Sequence, residues 1–315
     1  MVSASRRTDI PAFFTPWFMH RVREGVVMVR NPRNPNQVQR VSLRPEDVVA
    51  VVFWSRDYGQ LLPHLAELDD LGLRPCFQFT LTGYGPPLEP RSPAIETIVP
   101  QFEALAQRYG RDRVSWRYDP IVLGSLHDTR SHEVRFAQLA RLLAPFTSRC
   151  VVSFLDPYPS TLRELSKLQG VSGETFPSPT LSERLGLAKA LSDLGRSVGI
   201  TVSACCEADL LPVVPRARCI DPELIRSFAI DPNVGLRDAP TRKGCGCVLA
   251  RDIGVYDTCA HGCAYCYACE SPAIALRNAQ HANPKANALG PQDVSEHRVE
   301  KPSPQLSLLA PSPRR

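Results

Sequence analysis

Seven short runs rich in Val, Ile and Phe, interleaved with longer stretches of helical period, constrain this chain more than any other feature. The runs are Val2–Ser5, Val48–Trp54, Cys76–Thr82, Val114–Arg117, Cys150–Leu155, Ile200–Cys205 and Ile253–Tyr256. Pro11–Glu24, Gln60–Leu71, Pro93–Tyr109, Ser131–Ala144 and Leu181–Val198 read as helices, with Val26–Arg30 and Gln37–Leu43 as a hairpin insertion. Near-continuous apolar strands joined by helices indicate a parallel sheet covered by those helices. The predicted class is α/β, a TIM-like partial or complete (β/α) barrel with parallel strands and a cysteine-rich C-terminal part. The 315 residues, 43% hydrophobic, suffice for one large barrel-type domain. We assign residues 1–270 to that domain and 271–282 to a short helix around Pro272–Ala279. Residues 283–315, punctuated by Pro284, Pro291, Pro302, Pro304, Pro311 and Pro313, read as a disordered tail.

Composition excludes several function classes. No run of about 18 apolar residues occurs, and an arginine pair interrupts the N-terminus before any signal-like segment forms. The expectation is a cytoplasmic protein with no membrane partner. A formal charge of +5, spread without a basic block, leaves nucleic-acid binding unsupported by charge. In a reducing cytoplasm eleven cysteines argue for metal ligation over disulfides, especially with seven of them between Cys219 and Cys269.

Polar residues gather just after the apolar runs: Ser5-Arg6-Arg7, Ser55-Arg56-Asp57, Arg117-Tyr118-Asp119-Pro120 and Cys206-Glu207. Barrels of this type carry their sites at the C-terminal rim of the strands, so these segments are expected to converge there. Arg6 and Arg7 can grip a carboxylate or phosphate through bidentate forks, while Thr8 or Asp9 caps the helix near Pro11. Glu207 is a candidate substrate-binding residue or general base.

The rim also receives Cys259-x3-Cys263-x2-Cys266, with Tyr265 before the third cysteine. Three thiolates so spaced can hold an iron–sulfur cube and leave its fourth iron open for chemistry. His261, inside the loop, is expected to serve the backbone path and not to ligate, and Cys269 reads as a free thiol. Cys205, Cys206, Cys219, Cys245 and Cys247 could furnish a second site, either an auxiliary cluster or tetrahedral zinc. The preferred ligands are Cys206 (or Cys205), Cys219, Cys245 and Cys247, against scattered core thiols. Cys76 and Cys150 begin strands and read as core.

Cys259, Cys263, Cys266 and Tyr265 resemble the motif of radical S-adenosylmethionine enzymes. The resemblance implies a [4Fe–4S] cluster on the three cysteines, S-adenosylmethionine on the open iron, and an external electron donor. From Ser3-Ala4-Ser5-Arg6-Arg7-Thr8-Asp9-Ile10-Pro11 to the last cysteines, the chain also resembles an uncharacterised bacterial family with such a C-terminal cysteine cluster. Trp116-Arg117-Tyr118-Asp119-Pro120 is similar to a strand end of enzymes related to spore photoproduct lyase, which implies that Arg117 and Asp119, with Tyr265, contact cofactor or substrate.

In the radical enzymes the cysteine loop follows the first strand, whereas here it follows the last. A circular permutation would reconcile the two, and it requires Ile253–Tyr256 to lie parallel beside Val2–Ser5. The expected function is generation of a 5′-deoxyadenosyl radical acting on a small or nucleotide-like substrate. The alternative is a non-catalytic iron–sulfur or zinc protein for electron transfer, structure or nucleic-acid interaction.

Overall fold

The computed structural model describes residues 1–239 and 242–290. Seven strands form one parallel sheet: β1 (Val2–Ala4), β4 (Val51–Ser55), β5 (Pro75–Thr80), β6 (Val114–Ile121), β7 (Arg149–Phe154), β8 (Thr201–Ala204) and β9 (Arg251–Asp252). Their order is β8-β7-β6-β5-β4-β1-β9, so the last of the described strands lies beside the first. Val2 faces Arg251 and Ser3 faces Asp252 in parallel register, and the Ile253 N–H donates to Ser3 O at 3.0 Å. The hairpin β2 (Val26–Asn31) and β3 (Asn34–Ser42) stands apart as an antiparallel pair.

Helices follow most strands: α1 (Ile10–Phe13), α2 (Thr15–Glu24), α3 (Leu65–Asp70), α4 (Ile95–Tyr109), α5 (Thr129–Leu143), α6 (Pro159–Ser172), α7 (Leu181–Ser197), α8 (Pro222–Phe228) and α9 (Pro272–Gln280). The stretch read as one helix over Pro11–Glu24 is two, because Pro16 has no N–H for Ala12 O and disfavours helical backbone before it. α6 and α8 have no counterpart in the sequence reading. α6 buries only Thr161 and Leu165, too few to make an apolar stripe, and α8 has seven residues.

The sheet's two faces differ, which sequence runs of apolar character obscured. Phe53, Phe77, Phe79, Trp116, Tyr118 and Val152 share one core with Phe18, Phe102, Phe136 and Leu191 of the helices. Side chains alternate along a strand, so Ser3, Gln78, Ser115, Arg117 and Ser153 point to the other face. There a smaller cluster forms in which Val52, Cys76 and Val151 meet Ala217, Ile220 and Ile225 from the segment after β8.

Two expectations change. The final strand is Arg251–Asp252 and not Ile253–Tyr256, because Asp252 turns the chain by accepting from the Gly254 N–H at 3.1 Å. Residues 283–290 of the expected disordered tail are ordered: Trp17 Nε1 donates to Ala286 O at 3.0 Å, Met28 N to Asn287 O at 2.8 Å, and Leu289 enters the main core. A buried indole N–H needs such an acceptor. Residues 291–315 lie outside the described residues. Among the described residues no helix is long and apolar enough to cross a membrane.

Candidate functional site

A cavity of about 330 Å³ opens at the C-terminal ends of the parallel strands. Cys259, Cys263 and Cys266 line it, as do Cys205, Cys206, Cys219, Cys245 and Cys247. Arg6, Arg7, Arg117, Asp119 and Tyr265 lie on the same wall, so most of the residues selected from sequence meet in one place. Cys76 and Cys150 are buried in the core, and Cys269 is buried behind the wall with its thiol toward Cys259 O at 3.8 Å.

Two buried aspartates join the rim. Asp252 accepts from Ser3 Oγ (2.9 Å), Ser5 Oγ (2.6 Å) and the Arg6 N–H (2.8 Å), tying β9 to the end of β1. Gly254 is required there, since a Cβ would lie 2.0 Å from Ser5 Oγ. Asp9 caps α1 through the Ala12 N–H at 3.0 Å, accepts from Ser55 Oγ at 2.6 Å, and meets His261 Nε2 at 2.8 Å. His261 thus has a partner from a segment some 250 residues away, invisible at sequence level, and it secures the cysteine loop to the first strand end.

The loop itself rests on the segment after β5. The Ala264 N–H donates to Leu88 O at 2.9 Å, and Arg91 Nε binds Ala260 O. Gly262 has φ +71, and a Cβ there would lie 2.3 Å from Arg91 Nη2, so glycine satisfies both the turn and the close approach. Beneath the loop Arg56 pairs with Glu89 at 2.9 Å and with the Tyr265 hydroxyl, while Thr82 and Tyr265 both donate to Glu89. Tyr265 therefore shares its hydroxyl between this scaffold and the Cys263 thiol. Burial pushes the Cys263 thiol up to about 12 against the opposing pull of Arg56, and likewise raises Cys259.

The other thiols form a group of mutual contacts. Cys205 Sγ lies 3.7 Å from Cys206 Sγ and 3.5 Å from Cys219 Sγ. Cys219 also hydrogen-bonds Cys247, and Cys245 hydrogen-bonds Cys206 and Cys247. Arg117 serves this group: its Nη1 reaches Cys219 Sγ at 3.1 Å, and its other nitrogen pairs with Asp119, which also accepts from Ser153 Oγ. Hydrogen bonds from Cys205 and Cys247, together with Arg117, hold Cys219 below the usual thiol range.

Glu207 does not join the cavity wall. Its carboxylate accepts from the Phe154 N–H at 2.8 Å and pairs with Arg184, and burial raises its pKa, so it braces the ends of β7 and β8. Arg6 and Arg7 lie against the protein's own Asp252, at 3.8 and 4.0 Å, and over Trp54 and Tyr256. The residues that sequence reasoning missed are Asp252, Glu89 and Arg242, which lines the cavity and pairs with Asp156; each is a single charge with no spacing pattern.

Among the described residues, no three His, Cys, Asp or Glu side chains converge as ready-made ligands of one metal ion. No curated protein matches the sequence. Residues 1–268, from β1 through the cysteine loop, match the family described as a domain of unknown function, DUF1848, and the chain belongs to that family.

Proposed function

We propose that the protein is a radical S-adenosylmethionine enzyme whose substrate enters the cavity at the strand ends. The observation that carries this reading is that Cys259, Cys263 and Cys266 all line the cavity while the fourth cysteine of the segment, Cys269, does not. That donor set fits a [4Fe–4S] cube with one open iron: it holds three free thiols on a loop fixed at Gly262, His261 and Ala264. Thiols bound to three different irons need not point at one centre. When bound, such a cluster supplies one electron to cleave the sulfonium of S-adenosylmethionine to methionine and a 5′-deoxyadenosyl radical.

The chain's own residues hold and shape the site. Arg56, anchored by Glu89 and Tyr265, places a positive charge beside Cys263 and favours its thiolate. Asp252 and Asp9 hold the rim loops of β1 and β4 against the cysteine loop. Trp54, Tyr158, Tyr256 and Tyr267 give the cavity flat apolar faces suited to a nucleoside, and Arg6 and Arg7 supply cations beside them. The parallel placement of β9 beside β1 supports a permuted half-barrel, in which the cysteine-bearing strand precedes β1 in space.

Anaerobic reconstitution with iron, sulfide and dithionite tests the reading. The full chain is expected to turn brown, bind about four irons at this loop and release 5′-deoxyadenosine from S-adenosylmethionine. Cys263→Ala should abolish that release, while Cys150→Ala, on the helix-covered face, should retain it. Full iron loading without cleavage, or stoichiometric zinc with no cluster, favours a non-catalytic metal protein instead.

A further inference from the structure

We propose that Cys205, Cys206, Cys219, Cys245 and Cys247 build a second metal site, for a single tetrahedral ion of the zinc class, distinct from the cysteine loop. The spacing argues against an iron–sulfur cube. Four thiolates at a zinc–sulfur distance of about 2.3 Å stand about 3.8 Å apart along the edges of their tetrahedron. The sulfur–sulfur separations of 3.5 Å between Cys205 and Cys219 and 3.7 Å between Cys205 and Cys206 are of that size. An iron–sulfur cube carries each thiolate on a different iron, and these sulfurs are too close for that.

Connectivity makes the group a site and not a coincidence of core cysteines. The contacts run from Cys205 to Cys219, Cys247, Cys245, Cys206 and back to Cys205. Three separate segments contribute: the end of β8, the bend at Cys219 that follows the isolated bridge of Arg216 to Ala204, and the loop with Cys245-Gly246-Cys247. The first two are tied together by Ala217 N to Ala204 O at 2.8 Å, and Gln78 Nε2 holds Cys219 O at 2.8 Å. Cys206 adopts φ 62, a left-handed conformation uncommon for a residue with a side chain, and Gly244 leaves room directly against it. None of these five cysteines is in a disulfide.

Two N–H groups already point at sulfur, as the outer partners of metal-bound thiolates do. Arg117 Nη1 lies 3.1 Å from Cys219 Sγ, and the Ile220 N–H lies 3.4 Å from Cys247 Sγ. The thiols are arranged around a ring instead of converging on its centre, so binding draws four of them inward and releases their protons to solvent. Cys219 and Cys247, with their N–H donors, are the two ligands the arrangement commits to, and the fifth thiol stays unbound.

The test uses the full chain, stripped of metal under reducing anaerobic conditions and titrated with Co²⁺ and then Zn²⁺. A Cys259→Ala/Cys263→Ala/Cys266→Ala variant removes the loop's thiols. It is expected to bind one Co²⁺ per chain with thiolate charge-transfer and tetrahedral ligand-field bands, displaced by one Zn²⁺. Adding Cys219→Ser and Cys247→Ser should abolish the bands. Arg117→Met, which keeps every thiol, should weaken binding roughly 10-fold or more. Absence of the bands in the triple variant, their survival after loss of Cys219 and Cys247, or sulfide-dependent uptake of several irons at these cysteines would overturn the assignment. None of these outcomes depends on whether the loop supports release of 5′-deoxyadenosine.

Discussion

The cysteine loop and the five-thiol group face one cavity but hold their sulfurs differently. In the loop the frame is bound mainly through backbone N–H groups, His261, the Tyr265 hydroxyl and the turn at Gly262, and the Cys263 and Cys266 thiols touch Tyr265 and Cys269 at its side. In the other group the sulfurs bind one another and Arg117, and the segments are brought together around them. The contrast separates thiols held by a frame built around them from thiols held largely by one another.

The largest effect expected from breaking this contrast comes from the frame. Glu89→Gln leaves the Arg56 guanidinium buried without its carboxylate, at a cost of about 3–5 kcal/mol. Chemical denaturation measures the loss, and cobalt binding by the five-thiol group should persist in the folded fraction. A change below about 1 kcal/mol would mean that the loop is not held by this ion pair.

Acid lability is expected to arise elsewhere, in the helix-covered scaffold. Burial lowers His132 from its usual 6.5 to about 4, with its ring between the Tyr118 hydroxyl (2.7 Å) and Val122 O (3.0 Å). The unfolded chain therefore takes up this proton first. The contribution is full above about pH 6.5 and drains as the pH falls toward 4, by up to roughly 3 kcal/mol. His132→Phe should flatten the stability profile over that window, and an unchanged slope would assign the lability to other groups.

The smallest effect sharpens the comparison most locally. Gly262→Ala forces a side chain into left-handed backbone and displaces Arg91 from Ala260 O, costing about 1–2 kcal/mol. A thermal scan should register it, while metal titration of the five-thiol group should not. If both shift together, the two walls are one cooperative unit.

Local patterns carried the α/β class, the parallel strands and the cysteine loop, because each is written in residues close together in the chain. Strand positions survived for the same reason: Val114–Arg117 lies inside the observed Val114–Ile121, and Cys150–Leu155 overlaps Arg149–Phe154. Asp9 at the N-cap of α1 was also legible, since a capping acid stands next to the helix it starts. Glu207 was not, because an acid at a strand end looks the same whether it faces a cavity or, as here, an arginine and a backbone N–H.

The sequence by itself determined that apolar strands must be covered by helices and that three cysteines share a loop; burial periodicity and short spacing need no partner to be read. Only the tertiary structure decided that β9 lies beside β1, that His261 meets Asp9, that Arg117 serves Cys219, and that residues 283–290 join the core. Those contacts join groups far apart in the chain. Their energies depend on the desolvation and geometry that exist once the sheet has brought them together.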